Sequence, residues 1–186
     1  MNNTIENLKQ NGFEVYYVET EIQAKKKIFE LIPKGSEVMT MSSVTLDTLG
    51  ISEEINDSGQ YNSVKNKLMS KELDANYHAA SPEFVIGSVH AITQKGEIVI
   101  VSASGSQLPA YAYGAKNVIW VVGIQKLVNT LDDAFARIKG EVLVKEDARA
   151  MKAYGMHTGL NKILIVNKEV FPGRVKIILV NQTLGY

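Results

Sequence analysis

One apolar run restricts the fold of this chain more than any other feature of its sequence. Residues 118–122 are all large and apolar, and they show no alternation between apolar and polar side chains. A strand with one face in water alternates with a period of two residues, whereas a strand covered on both faces reads as a continuous apolar run. The run therefore predicts a strand inside a parallel sheet.

Helical and strand-like segments alternate along most of the sequence. Thr20 followed by Gln23 is a capping-box pattern, and Pro33 ends that helical segment. The predicted strands lie at residues 13–18, 37–41, 84–93, 97–103, 118–122, 162–167 and 174–181. The predicted helices lie at residues 5–11, 21–32, 44–49, 62–75, 108–113, 131–139 and 145–154. This order predicts a single-domain α/β fold with a largely parallel sheet flanked by helices and an antiparallel pair near the C-terminus, around Pro172 and Gly173.

The length and charge of the chain favour one globular domain with a small-molecule ligand. A chain of 186 residues, 45% apolar and 22% charged, is ordinary for such a domain. Twenty basic side chains balance twenty acidic ones, so no net charge attracts nucleic acid or an anionic membrane. The sequence shows no secretory signal and no apolar run of the roughly 20 residues that span a bilayer, and we expect a cytoplasmic protein.

Cysteine is absent from the sequence, which excludes several kinds of chemistry. The chain can form no disulfide, offers no thiol nucleophile and supplies no thiolate to zinc or to an iron–sulfur cluster. Neither the dinucleotide G-x-G-x-x-G pattern nor a P-loop occurs, and no metal-ligand spacing such as H-E-x-x-H is present. The sequence therefore predicts no metal site and leaves the cofactor unknown.

The first candidate ligand site is the hydroxyl-rich turn after the second predicted strand. Ser42, Ser43 and Thr45 lie where a strand passes into a helix. Their hydroxyls and the unpaired backbone N–H groups could hold an anion such as a phosphate or a carboxylate. The alternative is that Ser42 or Ser43 only caps the helix, as serine commonly does.

A second candidate is a turn of small residues that follows the strand at 97–103. Ser104, Gly105, Ser106 and Gln107 would let a ligand approach the backbone closely and would present unpaired N–H groups. The alternative is a plain connecting turn.

Ser88 and His90 form a third candidate, within the predicted strand 84–93. Successive side chains of a strand point to opposite faces, so Ser88 and His90, two residues apart, would lie on one face of that strand. Histidine can transfer a proton or donate to an anion near neutral pH, and the alternative is a hydrogen-bonded core histidine. No G-x-S-x-G motif accompanies the pair, so it does not indicate a hydrolase.

A fourth group of polar residues follows the last predicted helix. Asp147, Arg149, His157 and Asn161 could line a polar pocket. The alternative is a solvated helix followed by a loop.

Several stretches of the sequence match one known pattern when they are taken together. They are residues 85–93, 104–111, 114–115, 118–123, 125–126, 146–147, 149–150 and 161–162. In this combination the chain resembles the LUD family, the lactate-utilisation domain, over residues 35–186. The resemblance implies a fold similar to the NagB/RpiA/CoA-transferase-like group, whose ligands gather at turns that follow strands. We expect residues 1–186 to form a single LUD-type domain, with a helix–strand–helix segment at 1–34 and the LUD core at 35–186.

The resemblance also implies a metabolic setting. LUD proteins are associated with the oxidation of L-lactate in bacteria, where partner subunits carry the iron–sulfur clusters. Because this chain has no cysteine, the resemblance implies the stand-alone, cluster-free type. Relatives on this fold often carry Gly-x-Asp where this chain has residues 87–90, and no carboxylate stands there.

The leading hypothesis is a protein of lactate or related organic-acid utilisation that binds a small anionic metabolite. The two serine turns and Ser88 would hold the anion, His90 would transfer a proton, and Asn161 would orient the ligand.

Two alternatives come from other functional classes. An isomerase, transferase or cyclo-ligase on the same fold would need a carboxylate with a raised pKa near the anion site, such as Asp47 or Asp147. A non-catalytic subunit or ligand sensor would work through contacts with partners, including iron–sulfur subunits of lactate oxidation. Edge strands near the C-terminus could also pair two copies into a homo-oligomer.

Overall fold

The computed structural model describes residues 1–72 and 74–186 of the chain. The α-helices are α1 (Asn2–Gln10), α2 (Glu21–Leu31), α3 (Val44–Thr48), α4 (Ile51–Asp57), α5 (Val64–Met69), α6 (Ala75–Ala80), α7 (Leu131–Arg137) and α8 (Leu143–Tyr154). The strands are β1 (Glu14–Val18), β2 (Glu37–Thr40), β3 (Asn62–Ser63), β4 (Phe84–Gly87), β5 (Ala91–Thr93), β6 (Ile98–Ser102), β7 (Asn117–Gly123), β8 (Leu127–Val128), β9 (Lys162–Val166) and β10 (Val175–Val180). None of the helices that the structure describes is long and apolar enough to cross a membrane.

Six parallel strands form the main sheet, in the order β1-β10-β7-β4-β2-β3. β7 contains the apolar run and lies between β10 and β4. Its buried side chains alternate between two core clusters, with Ile119 and Val121 in one and Trp120 in the other. The prediction of a strand covered on both faces, inside a parallel sheet, is confirmed.

Helices cover one face of the main sheet, and a second sheet covers much of the other. On the first face, α2, α3 and α4 contribute Ile28, Leu46 and Ile51 to the core cluster that contains Ile119. On the other face, Ile98 and other side chains of β6 belong to the cluster that contains Trp120. The α/β class is confirmed, with a sheet in place of a helical layer on one side.

The second sheet has the order β8-β5-β6-β9 and contains both parallel and antiparallel pairs. The prediction of one strand over residues 84–93 is wrong, because that segment contains β4 of the main sheet and β5 of the second sheet. Ile86 pairs with Ile119 of β7, whereas Ala91 pairs with β6. Residues 88–90 therefore form a crossing segment between the two sheets.

The last two strands form as predicted, but they do not pair with each other. β9 is antiparallel to β6 at the edge of the second sheet, and β10 is parallel to β1 and β7 in the main sheet. The expected pairing of these strands around Pro172 and Gly173 is therefore wrong, and the antiparallel partner of β9 is β6. β10 is almost entirely buried, which suits the interior of a parallel sheet.

Gly140 does not end a helix, contrary to the prediction. The helical backbone continues from α7 through a π-helical turn at Ile138–Val142 into α8, which ends at Gly155. A glycine typically ends a helix by adopting a left-handed conformation. Gly155 does so, with a φ of 67°, whereas Gly140 is not among the residues with positive φ.

Two other predicted helices differ in detail. The helix expected at 62–75 is divided into α5 and α6, and Leu73 between them lies outside the described residues. The helix expected at 108–113 is a π-helical turn at Ala110–Gly114.

The capping box at the start of α2 forms as the sequence predicts, with the Thr20 side chain accepting a hydrogen bond from the N–H of Gln23. We expect Thr20→Ala to lower the free energy of unfolding by about 1 kcal/mol, because a helix N–H loses its acceptor. Thr20→Ser keeps the acceptor and should stay close to wild type. Urea unfolding of the three proteins checks this, and equal midpoints would show that the cap contributes nothing.

Candidate functional site

A cleft of about 570 Å³ lies at the carboxyl ends of β2, β4 and β7 of the main sheet. The segments that follow these strands line it: residues 41–45 after β2, 88–90 after β4 and Lys126 after β7. The end of β6 and residues of α8 form other parts of its wall. Ligands of parallel α/β sheets bind outside the carboxyl ends of the strands, so this cleft is the candidate site.

Most of the sequence-predicted site residues line the cleft. They are Ser42, Ser43, Thr45, Ser88, His90, Ser104, Ser106 and Gln107. Gly105 lies in the same turn as the last three, and its N–H donates to Ser102 Oγ at 2.8 Å. Asn161 lies outside the lining and donates from Nδ2 to the carbonyl of Ala103 at 3.3 Å, so it supports the turn. The structure thus brings together both serine turns and the crossing segment, but not Asn161.

Lys126 lies at the floor of the cleft, although only 2% of its surface is exposed. Its Nζ donates to Thr45 Oγ1 at 3.1 Å and to Ser88 Oγ at 3.0 Å. The ion pairs within the described part of the chain do not include Lys126. The floor of the cleft therefore carries a buried amine without a carboxylate partner among those residues.

The two hydroxyls beside Lys126 meet its amine as acceptors. Ser88 Oγ donates to the carbonyl of Val121 at 2.7 Å, and Thr45 Oγ1 donates to the carbonyl of Leu184 at 3.3 Å. Each hydroxyl has a single proton, which it donates to a carbonyl oxygen. Its oxygen lone pairs therefore accept the hydrogen bond from Nζ. Thr45 and Ser88 thereby hold the amine in one position.

The charge state of Lys126 is finely balanced. Burial and, to a smaller extent, the positive charge of Arg137 together lower the pKa of its amine to about 7, against the opposing effect of the Glu141 carboxylate. Near neutral pH, Lys126 is thus present both as a cation that attracts anions and as a neutral amine that can act as a nucleophile.

Arg137 lies behind the floor of the cleft and holds two of its segments. Nε donates to the carbonyl of Gln125 at 3.3 Å, and Nη1 donates to the carbonyl of His90 at 3.1 Å. Nη2 is buried without a hydrogen bond and lies 3.9 Å from the carboxylate of Glu141. Arg137 thus positions the crossing segment and the turn before Lys126, and adds positive charge beneath both.

His90 is held as a neutral imidazole. Its Nδ1 accepts a hydrogen bond from the N–H of Val101 at 3.1 Å. Burial, with the charges of Lys126 and Arg137, lowers the pKa of His90 to about 3. Because Nδ1 is an acceptor, the neutral ring carries its proton on Nε2. The geometry therefore favours hydrogen-bond donation by His90, and its proposed proton transfer stays a prediction.

The serine turns present hydroxyls along the rim of the cleft. Ser43 precedes α3 but makes no side-chain capping bond, so the capping alternative is not what the structure shows for it. Ser104 and Ser106 are exposed, and their hydroxyl oxygens lie 3.1 Å apart. These groups are placed where a ligand in the cleft can reach them.

An acidic residue of α8 also lines the cleft. Glu146 accepts hydrogen bonds from Arg149 Nε at 2.8 Å and Nη2 at 2.6 Å, and from the Tyr186 hydroxyl. The bond from Arg149 lowers the pKa of the Glu146 carboxyl. Glu146 is therefore ionised and paired, in contrast to Lys126.

The fourth predicted group does not form one pocket. Arg149 and His157 line the cleft, whereas Asp147 and Asn161 do not. Asp147 accepts hydrogen bonds at 2.8 Å from His157 Nδ1 and from the N–H of Thr158, and the His157 bond lowers the pKa of its carboxyl. Across residues 1–72 and 74–186, no group of three or more His, Cys, Asp or Glu side chains is arranged to hold a metal ion.

The family of the chain follows from a comparison with protein-family models. The model described as the LUD domain matches residues 1–180. The chain belongs to the LUD domain family. The LUD family is associated with lactate utilisation, and this chain shares that association as a member of the family.

The fold of this LUD domain recurs in a solved structure. A DUF162 family protein from Deinococcus radiodurans is 12% identical, covers 97% of this chain and 95% of its own, and superposes with a TM-score of 0.61. At that identity the likeness shows a shared fold. The eIF2B beta protein from Chaetomium thermophilum is 15% identical over 61% of this chain and 44% of its own, with a TM-score of 0.39, too low to support an argument. No protein with a curated description matches the LUD chain.

The sequence patterns assign no role to Lys126, which lines the LUD cleft, or to Arg137, which lies behind it. The apolar strand β7 ends at Gly123, and Lys126 lies three residues after it. Two signals in the sequence point to it: its position past the carboxyl end of a central parallel strand, and its place in the stretch 125–126 that resembles the LUD family. Arg137 belongs to an amphipathic helix, where an arginine commonly faces water, and no local pattern marks it as buried.

Proposed function

We propose that this LUD domain binds a small 2-hydroxy or 2-oxo acid, such as lactate or pyruvate, and acts in organic-acid metabolism. Lys126 carries the proposal, because it is a buried amine at the floor of the cleft and forms none of the ion pairs within the described residues. A buried charge without a counter-charge is costly. The carboxylate of a bound acid would supply that counter-charge.

Hydrogen-bond donors in the same cleft as Lys126 support an acid with a second oxygen next to its carboxylate. The Nε2–H of His90 and the hydroxyls of Ser43 and Ser106 belong to residues that line the same cleft. A 2-hydroxy or 2-oxo acid presents both a carboxylate and an adjacent oxygen to such donors. The volume of about 570 Å³ is within the range of small-molecule sites.

The alternative of an isomerase, transferase or cyclo-ligase is less well supported. It predicts a carboxylate with a raised pKa near the anion site, with Asp47 or Asp147 as candidates. The pKa of Asp147 is instead lowered, first through the bond from His157. Glu146 lines the cleft, but Arg149 lowers its pKa as well. These two carboxyls are thus ionised near neutral pH and poorly suited to act as acids.

Any electron transfer through an iron–sulfur cluster in this function would take place on a partner. The sequence contains no cysteine, so an iron–sulfur cluster would have to be held by another chain. In such an assembly the LUD protein would serve as the subunit or sensor that binds the acid. Co-purification with an iron–sulfur protein, without turnover by the LUD chain alone, would support that role.

Titration calorimetry with L-lactate, pyruvate and inorganic phosphate tests the proposed site. We expect Ser43→Leu and Ser106→Leu each to weaken binding of the acids by at least about tenfold, because an apolar side chain removes a donor and fills the cleft. Ser58→Leu is the matched control, since Ser58 is exposed and does not line the cleft. Unchanged affinity for every acid and for phosphate in both cleft variants would show that the site is wrong.

A further inference from the structure

We infer that Lys126 forms an imine with the carbonyl group of a 2-oxo acid, so that the cleft binds such an acid covalently. The inference rests on the proposed function, because the acid must first occupy the cleft.

The two hydroxyl partners of Lys126 orient its amine. Thr45 Oγ1 and Ser88 Oγ lie 3.1 Å and 3.0 Å from Nζ and accept hydrogen bonds from it. A neutral amine has two N–H bonds and one lone pair. When both N–H groups donate to the hydroxyls, the lone pair occupies the remaining tetrahedral position of Nζ and stays free. Because all three side chains line the cleft, a carbonyl carbon held there can meet that lone pair.

The surroundings of Lys126 also favour its neutral, reactive form. Burial lowers the pKa of the amine to about 7, and Arg137 opposes its protonation more than Glu141 favours it. The ion pairs of residues 1–72 and 74–186 do not include Lys126, so no paired carboxylate of the chain itself holds the amine in its charged form. Desolvation next to a second cation is a known way to activate a lysine for imine formation.

No other lysine in the described part of the chain combines burial with a place in the cleft. Lys65 also lines the cleft but is only partly buried, and Lys162 near the Ser104 turn is exposed. Lys126 is the buried lysine among those residues. The reaction should therefore be confined to one side chain.

The reaction balances without an oxidant or a reductant. Nζ of Lys126 attacks the carbonyl carbon, so a C–N bond forms while the C=O π bond breaks, and the oxygen takes a proton to give a carbinolamine. That oxygen takes a second proton and leaves as water, which gives the protonated imine. Starting from the ammonium form, both protons come from Nζ itself. Nε2–H of His90 is a donor that can polarise the carbonyl oxygen.

Lactate and pyruvate separate covalent from non-covalent binding. Both carry the carboxylate that the proposed function requires, but lactate has a hydroxyl in place of the carbonyl and cannot form an imine. The inference therefore predicts that the two acids bind in one cleft and that pyruvate alone is trapped by reduction.

The test is reductive trapping on the full chain. The protein is incubated with pyruvate or with L-lactate, treated with cyanoborohydride, and analysed by intact mass and peptide mapping. We expect pyruvate to give one reduced adduct per chain, on Lys126, and L-lactate to give none. Lys126→Arg keeps a positive charge but should lower trapping at least about tenfold, because guanidinium is not a nucleophile at neutral pH. Lys95→Met is the matched control, because Lys95 is exposed and does not line the cleft.

Each result has a definite meaning. An adduct mapped to Lys126 of the wild-type chain supports the inference, and it does so even if the arginine variant fails to fold. Pyruvate binding in the calorimeter without an adduct on Lys126 overturns the inference and leaves the proposed function standing. Adducts spread over exposed lysines also overturn it. Failure of both acids to bind overturns the proposed function together with the inference.

Discussion

Replacing Lys126 by methionine is expected to raise the free energy of unfolding by about 3 kcal/mol at about pH 6, although it removes two hydrogen bonds. Methionine is unbranched and of similar length, and it carries no charge that must be desolvated. Thr45 and Ser88 keep their bonds to the carbonyls of Leu184 and Val121, so their hydroxyls do not become unsatisfied donors. A gain of this size would be unusual, because most substitutions destabilise a protein.

The size of this gain should depend on pH, in a direction that follows from the lowered pKa of Lys126. The folded-state pKa is about 7, against 10.5 for a lysine in water. Between these two values the unfolded chain binds more protons than the folded chain, so the wild-type protein becomes more stable as pH rises. The penalty for Lys126 is fully present below its folded-state pKa and is lost towards the higher value. The advantage of the variant should therefore disappear in alkaline solution, where only the loss of the two hydrogen bonds from Lys126 remains.

Urea unfolding of both proteins at several pH values measures this effect. Lys95→Met controls for the loss of a positive charge, and it should change the free energy of unfolding by no more than about 0.5 kcal/mol at any pH because Lys95 is exposed. A Lys126→Met protein that is less stable than wild type at acid pH would show that Lys126 contributes to folding. The Lys126→Met protein should also bind lactate more weakly, because the substitution that stabilises the fold removes the cation of the site.

The parallel sheet could be predicted because its signal is local. Residues 118–122 and the interior of β10 carry apolar side chains on both faces, and burial on both faces can be recognised from a single strand. The division of residues 84–93 between two sheets could not be predicted in this way. Ile86 and Ala91 are both apolar and buried, and only their partners, β7 and β6, separate them.

The candidate site was predictable in part for the same reason. Serine-rich turns after strands are visible in the sequence, and the cleft brings Ser42 and Ser104 to its edges. The floor depends on contacts between distant segments. Lys126 reaches Thr45, which is 81 residues away, and Ser88, which is 38 residues away. No local pattern shows that a lysine will be buried by such contacts, and the same holds for the bond from Arg137 to His90.

Gly87→Ala is expected to have the second large effect, a loss of about 2–3 kcal/mol in the free energy of unfolding, because it overfills the core. Gly87 is the last residue of β4, and a Cβ placed there would collide with the Tyr111 hydroxyl. The same Cβ would lie 3.1 Å from Tyr111 Cζ and 3.2 Å from Met41 Cβ. Tyr111 is only 2% exposed and packs edge-on against Trp120, so it has little room to move.

The same collision should also weaken ligand binding. Gly87 directly precedes Ser88, whose Oγ lies 3.0 Å from Lys126 Nζ. A shift of β4 away from Tyr111 would move this hydroxyl and release the amine from its position. We therefore expect Gly87→Ala to bind lactate more weakly even at temperatures where the protein is folded.

A double-mutant cycle with Tyr111→Phe can decide whether this collision is the cause. Phenylalanine removes the hydroxyl that the new Cβ would meet, so Gly87→Ala should cost at least about 1 kcal/mol less in the Tyr111→Phe background than in wild type. The rescue should be partial, because the contacts with Cζ and with Met41 persist. Gly140→Ala is the matched control: apart from its chain neighbours and its own helix backbone, no heavy atom lies within 4 Å of its added Cβ, and alanine in a helical segment should be neutral or stabilising. Equal costs of Gly87→Ala in both backgrounds would mean that Tyr111 does not require a glycine at this position, and that the end of β4 accommodates a side chain by another route.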